Sequence, residues 1–345
     1  MSRGRAAARL GAGAAALAAF GSISLVLWVR RRLPVGPSEQ QVESLIDLRI
    51  GRFGVQSRHL YVGTSQGRIH LLVAGDGDRT VMLLPGLGAS AGSYPGLIAN
   101  LARTCRVIAL DLPGTGLSDP IQFAGHPRAA WTELIREVAD QLGLATFHLC
   151  GHSLGGLAAG AFAVDNPKRV SSLVLLAPVG LAANPPPIWR AALLPGLADV
   201  MFSLDLLLMG WQSARGAADV RGLARGPVEV GPDSDGYRFM VTSRFTTGFD
   251  LLAFRRLLEP SGFRADSLLL PALGLLSGRV MVVFGDHDVK VPLAPAQRQL
   301  QNYPGVELRV VSGWNHLFPF VRPFETAELM DGWFGDREHR GRSHT

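Results

Sequence analysis

The chain has 345 residues, of which 47% are hydrophobic and 18% charged, so it can bury a substantial core and lacks the composition of a disordered chain. Its formal net charge is +6, but six of its 34 basic residues lie within residues 1–32, which contain no Asp or Glu. The remaining 28 basic residues match the 28 acidic ones, which argues against a nucleic-acid-binding face. The two cysteines, Cys105 and Cys150, lie in apolar strand-like runs and show no metal-ligand spacing.

The N-terminal segment is the first predicted element. Twenty uncharged residues, 10–29, lie between Arg9 and Arg30. As a helix they would span roughly 30 Å, the thickness of a bilayer's hydrocarbon core. Residues 1–32 are therefore predicted to be a single-pass membrane anchor, with a signal peptide that is cleaved on secretion as one alternative and a soluble or surface-lying helix as another. The flanking arginines leave the orientation open.

Residues 33–57 are interpreted as a linker with a short helix, and a hairpin of "RHLYVG" and "RIHLLVAG" follows. Strand-like and helix-like runs then alternate as far as residue 179. The predicted strands are "TVMLLPG", "CRVIALDLPG", "TFHLC" and "VSSLVLLAP", and the predicted helices cover about 93–103, 127–143 and 154–166. Strands rich in Val, Ile and Leu that alternate with helices predict an α/β fold with a mainly parallel, doubly wound sheet.

The alternation breaks over residues 180–275, which carry "PPP" and apolar helical segments. They are predicted to form a helical cap inserted after the sixth strand. The pattern resumes with the strand "GRVMVVFGDHD", a helix near 294–302, the strand "VELRVVSGWNH" and a helix near 322–334. The predicted organisation is thus one α/β core, residues 58–179 and 276–337, with the cap between its parts and a polar tail at 338–345.

The segment Gly151-His152-Ser153-Leu154-Gly155 matches the G-x-S-x-G pattern, and it lies where a predicted strand turns into a predicted helix. Glycines are needed there because side chains would collide with neighbouring backbone as the chain bends. The turn exposes the Ser153 hydroxyl at the carboxyl edge of the sheet in a strained conformation. Ser153 is therefore the candidate nucleophile, and His152 is interpreted as an orienting or packing residue.

A serine hydroxyl needs a base, and the base needs an acid to orient it. In this architecture both should follow the serine at later strand ends. We predict Asp288 as the acid, after the strand "VMVVFG", and His316 as the base, after the strand "VELRVV". Asp286 is the second candidate for the acid, but it lies closer to its strand and is expected to bond the amides of the turn.

Acyl chemistry also needs donors for a developing oxyanion. The amide of Leu154, directly after the nucleophile, is one candidate. The amide of Leu87, in the loop "LLPGLGAS" after the third strand, is the other, because Gly86 lets the backbone approach.

These motifs together resemble the α/β-hydrolase superfamily, in the esterase- and lipase-like branch with a helical lid. The resemblance covers about residues 58–335. It is carried by "PGLG" at 85–88, "DLPGTGLSD" at 111–119, "GHSLGG" at 151–156, "GDHDVKVP" at 285–292 and "GWNH" at 313–316. In that family the second motif is mainly a structural turn, so Asp111 and Ser118 receive no catalytic role. Pro85 stands where many relatives have histidine.

The resemblance implies a serine hydrolase that cleaves carboxylic esters through an acyl-enzyme, with no metal or organic cofactor. An acyltransferase or a carbon–carbon bond hydrolase with the same triad is the alternative, and a non-catalytic binding protein of this fold is a further one. Apolar cap residues favour a small-molecule or lipid-like ester as substrate. They are Met201, Phe202, Leu206, Leu207, Leu208, Met209 and Trp211.

Overall fold

The computed structural model describes residues 38–119, 127–181 and 269–342. The predicted cap, residues 180–275, lies almost wholly outside these ranges, as do the predicted anchor at 10–29 and the apolar cap residues. The cap therefore stays a prediction.

A single eight-stranded sheet organises the described residues, in the spatial order β1-β2-β4-β3-β5-β6-β7-β8. Strands β1 and β2 form the predicted antiparallel hairpin, β2 pairs antiparallel with β4, and all the other pairs are parallel. The predicted mainly parallel α/β sheet is thereby confirmed. The strands are β1 Ser57–Thr64, β2 Gly67–Ala74, β3 Arg79–Leu84, β4 Cys105–Leu110, β5 Phe147–His152, β6 Val170–Leu176, β7 Val280–Gly285 and β8 Val306–Val311.

Helices flank the sheet in two groups: α2 packs against α1 and α8, and α4 packs against α3 and α5. The helices are α1 Glu39–Gly51, α2 Pro95–Leu101, α3 Pro127–Gln141, α4 Leu154–Asp165, α5 Leu270–Leu275, α6 Leu293–Leu300, α7 Phe318–Val321 and α8 Pro323–Arg342. A 3₁₀ turn at Ala91–Ser93 precedes α2.

The central strands are buried because helices cover both their faces, which is why they are continuous apolar runs in the sequence. All six residues of β5 and of β7 are buried, whereas β8 at the sheet edge is half-buried or exposed. The parallel strands end at one edge of the sheet, and the segments that directly follow β3, β5, β7 and β8 carry every residue of the predicted site.

Two sequence predictions need correction at the helices. The last helix continues to Arg342 and so includes part of the predicted polar tail, because Asp, Arg and Glu favour or tolerate a helix and do not end one. The short helix α7 was not predicted, since four residues carry too little periodicity to be recognised.

The predicted membrane localisation is also corrected. Among the residues that the structure describes, no helix is both long and apolar enough to cross a bilayer. Residues 10–29 lie outside that part of the chain. The single-pass anchor inferred from their length and flanking arginines is therefore withdrawn.

Candidate active site

The backbone of Ser153 adopts a conformation that a non-glycine residue rarely takes. Its dihedral angles are φ 52° and ψ −114°, at the junction between β5 and α4. The Ser153 amide donates to the carbonyl of Leu176 at 2.9 Å, and the Ser153 carbonyl accepts from the amides of Gly156 and Val179 at 3.0 and 3.1 Å. Bonds to β6 and to the segment after it thus hold the strained residue in place, which such a conformation requires.

Two glycines make this turn sterically feasible. A Cβ at Gly151 would lie 2.3 Å from the carbonyl oxygen of Gly155, and a Cβ at Gly155 would lie 2.2 Å from the carbonyl oxygen of Leu84. No side chain fits at either distance. The spacing of the G-x-S-x-G pattern therefore has the steric cause that the sequence predicts.

The structure brings Ser153, Asp288 and His316 together from three separate loops. His316 Nε2 lies 3.1 Å from Ser153 Oγ, and His316 Nδ1 lies 2.8 Å from Asp288 Oδ2. A carboxylate accepts, so Nδ1 carries the imidazole proton, and Nε2 is then free to accept from the serine hydroxyl. The arrangement can take a proton from Ser153 and stabilise the imidazolium that results.

The carboxylate of Asp288 is fixed independently of the histidine. Its side chain is fully buried, and Oδ1 accepts from the amides of Lys290 and Val291 at 2.8 and 2.9 Å. These two bonds leave Oδ2 facing His316. A buried carboxylate that meets only donors is held in one orientation, which in turn fixes the tautomer and the direction of the imidazole.

Asp286, the second candidate for the acid, points elsewhere. It accepts from the amide of Gly313 at 2.7 Å and from the hydroxyl of Ser312 at 3.0 Å. The bond from Gly313 lowers the pKa of Asp286 below its ordinary value. Asp286 therefore braces the loop that carries His316, and Asp288 is the carboxylate that contacts the ring.

The two predicted oxyanion donors lie on adjoining segments. Leu154 is the first residue of α4, where an amide has no acceptor within the helix. Leu87 lies in a tight turn, closed by a bond of 3.0 Å from the Ala89 amide to the Gly86 carbonyl. A Cβ at Gly86 would be 3.2 Å from Ser153 Cβ, so this turn lies directly against the serine. That both amides bind an oxyanion stays a prediction.

Sequence reasoning missed one part of the surroundings. Tyr94 Oη lies 3.0 Å from the Gly86 amide nitrogen and 2.9 Å from His152 Nδ1, and His152 Nε2 lies 3.0 Å from the carbonyl oxygen of His316. Both side chains are buried. The histidine inside the G-x-S-x-G pattern was a visible signal, whereas nothing in the sequence around Tyr94 marks it as the partner of His152.

Neither a reactive cysteine nor a metal site is found among the described residues. Burial raises the pKa of the Cys150 thiol, so it is not poised to react as a thiolate. Within the described ranges no cluster of His, Cys, Asp and Glu side chains has the geometry of a metal site.

Comparison with known proteins yields one family match. The sequence profile of the α/β hydrolase fold matches residues 79–207. Among curated proteins, the 2-hydroxy-6-oxononadienedioate/2-hydroxy-6-oxononatrienedioate hydrolase of Escherichia coli O139:H28 is 40% identical over 113 residues. That match covers 32% of this chain. The chain therefore spans only about two fifths (39%) of the length of this relative.

Solved structures are similar over more of the chain. Carboxylesterase CesB (YbfK) from Bacillus subtilis is 23% identical with a TM-score of 0.65, and the match covers 86% of this chain and 98% of that one. The 2-hydroxy-6-oxo-6-phenylhexa-2,4-dienoate hydrolase BphD from Rhodococcus sp. strain RHA1 is 25% identical with a TM-score of 0.61, over 81% and 99% of the two chains.

Proposed function

The described residues have the α/β-hydrolase fold, and on that premise we propose that the protein is a serine hydrolase that cleaves carboxylic esters through an acyl-enzyme at Ser153. One observation carries the proposal: a serine in a strained turn lies 3.1 Å from a histidine whose other nitrogen lies 2.8 Å from a buried carboxylate. A neutral serine is a poor nucleophile, and this contact is the one that removes its proton.

The first half of the reaction forms the acyl-enzyme. Ser153 Oγ attacks the ester carbonyl carbon while His316 Nε2 takes the hydroxyl proton, and the carbonyl oxygen becomes an oxyanion. The amides of Leu87 and Leu154 donate to that oxygen, and the N-terminus of α4 adds a favourable dipole. His316 then gives its proton to the leaving alcohol as the C–O bond breaks.

The second half releases the acid. Water attacks the acyl carbon, His316 takes one of its protons, and a second oxyanion forms in the same place. When this intermediate collapses, the proton returns from His316 to Ser153 Oγ and the carboxylic acid leaves. Asp288 keeps its charge throughout and stabilises the imidazolium in both halves.

A second candidate reaction is hydrolysis of a carbon–carbon bond. The Escherichia coli relative and BphD are both named as hydrolases of 2-hydroxy-6-oxo dienoates. Such a substrate has no ester, so its hydrolysis must break a bond between the ketone carbon and its neighbour. The same serine, base and oxyanion donors would serve at a ketone carbonyl.

A substrate comparison separates the two reactions. Purified full-length protein and Ser153→Ala are assayed in parallel against short-chain and long-chain p-nitrophenyl esters and against a 2-hydroxy-6-oxo dienoate. We expect the esters to be cleaved by the wild type alone. Turnover of the dienoate without ester cleavage would replace the proposal with the second candidate, and equal rates for wild type and Ser153→Ala would refute both.

Addition of a second alcohol to the ester assay separates hydrolysis from acyl transfer. We expect the free acid as the product. An ester of the added alcohol as the main product would show that the acyl-enzyme reacts with alcohols in preference to water, which would make the protein an acyltransferase.

A further inference from the structure

A continuous chain of hydrogen bonds runs behind the candidate triad. It passes from the Gly86 amide to Tyr94 Oη at 3.0 Å, from there to His152 Nδ1 at 2.9 Å, and from His152 Nε2 to the carbonyl oxygen of His316 at 3.0 Å. Tyr94 and His152 are almost fully buried, with 1% and 2% of their surfaces exposed, so water does not compete for these bonds.

The direction of every bond in the chain follows from its two ends. The Gly86 amide can only donate, so Tyr94 Oη accepts from it and gives its own proton to His152 Nδ1. The carbonyl of His316 can only accept, so His152 Nε2 carries the proton. Burial raises the pKa of Tyr94, and burial together with the nearby His316 lowers the pKa of His152 to about 3. Both groups are therefore neutral, and each polar atom has its partner.

The three segments that this chain joins are those of the proposed chemistry. Gly86 begins the turn that carries Leu87, His152 precedes Ser153, and the carbonyl belongs to His316 itself. A Cβ at Gly86 would lie 2.9 Å from His152 Nδ1, so the turn packs against the histidine more closely than a residue with a Cβ would allow.

Aromatic packing holds the same two side chains from outside. Phe320 stacks on Tyr94 with ring centroids 4.6 Å apart, and it meets His152 edge-on at 5.5 Å. Phe320 lies in α7, four residues after His316. The loop that carries the base is thus fastened to Tyr94 and His152 both by a hydrogen bond and by a ring contact.

We propose that Tyr94 and His152 are positioning residues, which hold the backbone of His316 so that its ring faces Ser153 and hold the Leu87 turn against the nucleophile. The hydrogen bonds of both side chains go to each other and to backbone groups, not to Ser153 Oγ or His316 Nε2. The inference rests on the proposed function, because its effect on rate presupposes that Ser153 and His316 do the chemistry.

The variants are chosen to remove the hydrogen bonds of Tyr94 and His152 without leaving a cavity in place of either side chain. His152→Leu fills a similar volume but neither donates nor accepts. His152→Gln keeps an amide nitrogen that can donate to His316 and an oxygen that can accept from Tyr94. Tyr94→Phe removes only the hydroxyl. His148→Leu is the matched control: it removes a second buried histidine from the same strand, one that contacts Ser172 Oγ at 2.8 Å.

Ester hydrolysis gives the first readout. We expect kcat of His152→Leu to fall by about 10- to 100-fold with KM nearly unchanged, because a displaced base affects the reaction and not substrate binding. His152→Gln should recover most of the loss, and Tyr94→Phe should lie between the two. His148→Leu should leave kcat near the wild-type value. Equal kcat values for His152→Leu and His148→Leu at equal folded fraction would overturn the inference.

Nuclear magnetic resonance of ¹⁵N-histidine-labelled protein gives a readout that needs no activity. We expect His152 to show the Nε2–H tautomer and no titration between pH 5 and 8. The ring centroids of His152 and His316 lie 5.1 Å apart, so loss of the His152 ring by itself shifts the His316 resonances. We therefore expect a larger His316 shift in His152→Leu than in His152→Gln, which lacks the same ring but keeps a donor and an acceptor, and no shift in His148→Leu. The opposite tautomer, or equal His316 shifts in His152→Leu and His152→Gln, would contradict the inference.

The two readouts also separate the inference from the function on which it rests. If wild type and Ser153→Ala hydrolyse esters equally, the proposed function fails whatever the resonances show. The tautomer and the His316 shifts then still decide whether the Tyr94–His152 chain positions that ring.

Discussion

Among the described residues, two buried aspartates contact a histidine at nearly the same distance, and the two pairs end on different partners. In the first, Asp288 contacts His316 at 2.8 Å and the far nitrogen of His316 lies 3.1 Å from Ser153 Oγ. In the second, Asp111 contacts His70 at 2.7 Å, and the far nitrogen of His70 lies 2.8 Å from His59 Nδ1. The geometry of the carboxylate–imidazole contact is nearly the same in both.

The second pair is a structural connection. Asp111 and His70 are completely buried, and Asp111 also accepts from the amides of Ala91 and Leu117 at 2.6 and 2.8 Å. Beyond it, His59 Nε2 reaches the exposed Asp47 at 3.3 Å. The chain of contacts therefore links the loop after β4 through β2 and β1 to helix α1.

The comparison teaches that an aspartate–histidine pair does not define a catalytic site. The difference lies in what the far nitrogen faces and in whether substrate can reach it. His316 faces a hydroxyl on a strained turn at the start of a helix, and 12% of its side chain is exposed. His70 faces another imidazole and has no exposed surface. The following variants either break one of the two pairs and leave the other intact, or change a neighbouring carboxylate as a control.

The largest effect is expected from the central histidines. His316→Ala should lower kcat by about 10⁴-fold or more, because it removes the base from a unit that acts as a whole. His70→Gln should leave the kcat of the folded enzyme close to wild type and lower the free energy of unfolding instead. Steady-state kinetics and urea unfolding of both variants give the comparison, and a similar loss of kcat in the two would show that the two pairs are not distinct.

Asp288→Asn should lower kcat by about 10⁴-fold, since an amide no longer holds the imidazole in the productive tautomer. Asp286→Asn is the matched control in the same loop: its side chain contacts Gly313 and Ser312, not the ring. We expect Asp286→Asn to retain most of the activity. If Asp286→Asn were the more damaging of the two, the assignment of the acid would be wrong.

Asp111→Asn should lower the free energy of unfolding by about 3–5 kcal/mol, as is typical when one partner of a buried charged contact is removed. All three groups that face this carboxylate are donors, so the amide nitrogen of asparagine would meet another donor. Chemical denaturation measures the loss. A destabilisation below about 1 kcal/mol, the range of exposed ion pairs, would remove the structural role given to this pair.

Asp47→Asn marks the exposed end of the second chain and should have the smallest effect. Half of the Asp47 side chain is exposed, so the loss should stay below about 1 kcal/mol, with no change in kcat. The same unfolding and kinetic measurements test it. A larger loss would mean that the contact between α1 and β1 contributes more than its exposure implies.

Much of the fold was predictable because strands that are buried on both faces of the sheet consist of continuous apolar residues. Strands β3 to β7 are such runs, and the glycines around Ser153 mark the turn after β5. Asp288 was preferred to Asp286 because Asp286 lies nearer the strand end and was expected to bond the amides of its own turn. It accepts instead from Ser312 and Gly313 in the loop after β8, and Asp288 is the residue that contacts His316.

The parts that were not predictable depend on contacts between segments far apart in the sequence. Tyr94 and His152 are 58 positions apart, and they meet because Gly86 lets a turn approach the serine. The membrane anchor, which is withdrawn, was predicted from local sequence features alone. Length and flanking charge in residues 10–29 were the whole basis for it, and apolar length by itself cannot distinguish among the uses of such a segment.

The central claim is that Ser153 is activated by His316, and covalent labelling tests it most directly. Wild type, Ser153→Ala, His316→Ala and His70→Gln are treated with a fluorophosphonate and analysed by mass spectrometry of intact protein and of peptides. The account predicts one adduct, on the peptide that contains Ser153, at similar rates in wild type and His70→Gln, strongly slowed in His316→Ala and absent from Ser153→Ala. An unlabelled wild type, or an adduct that forms equally well in Ser153→Ala, would contradict it.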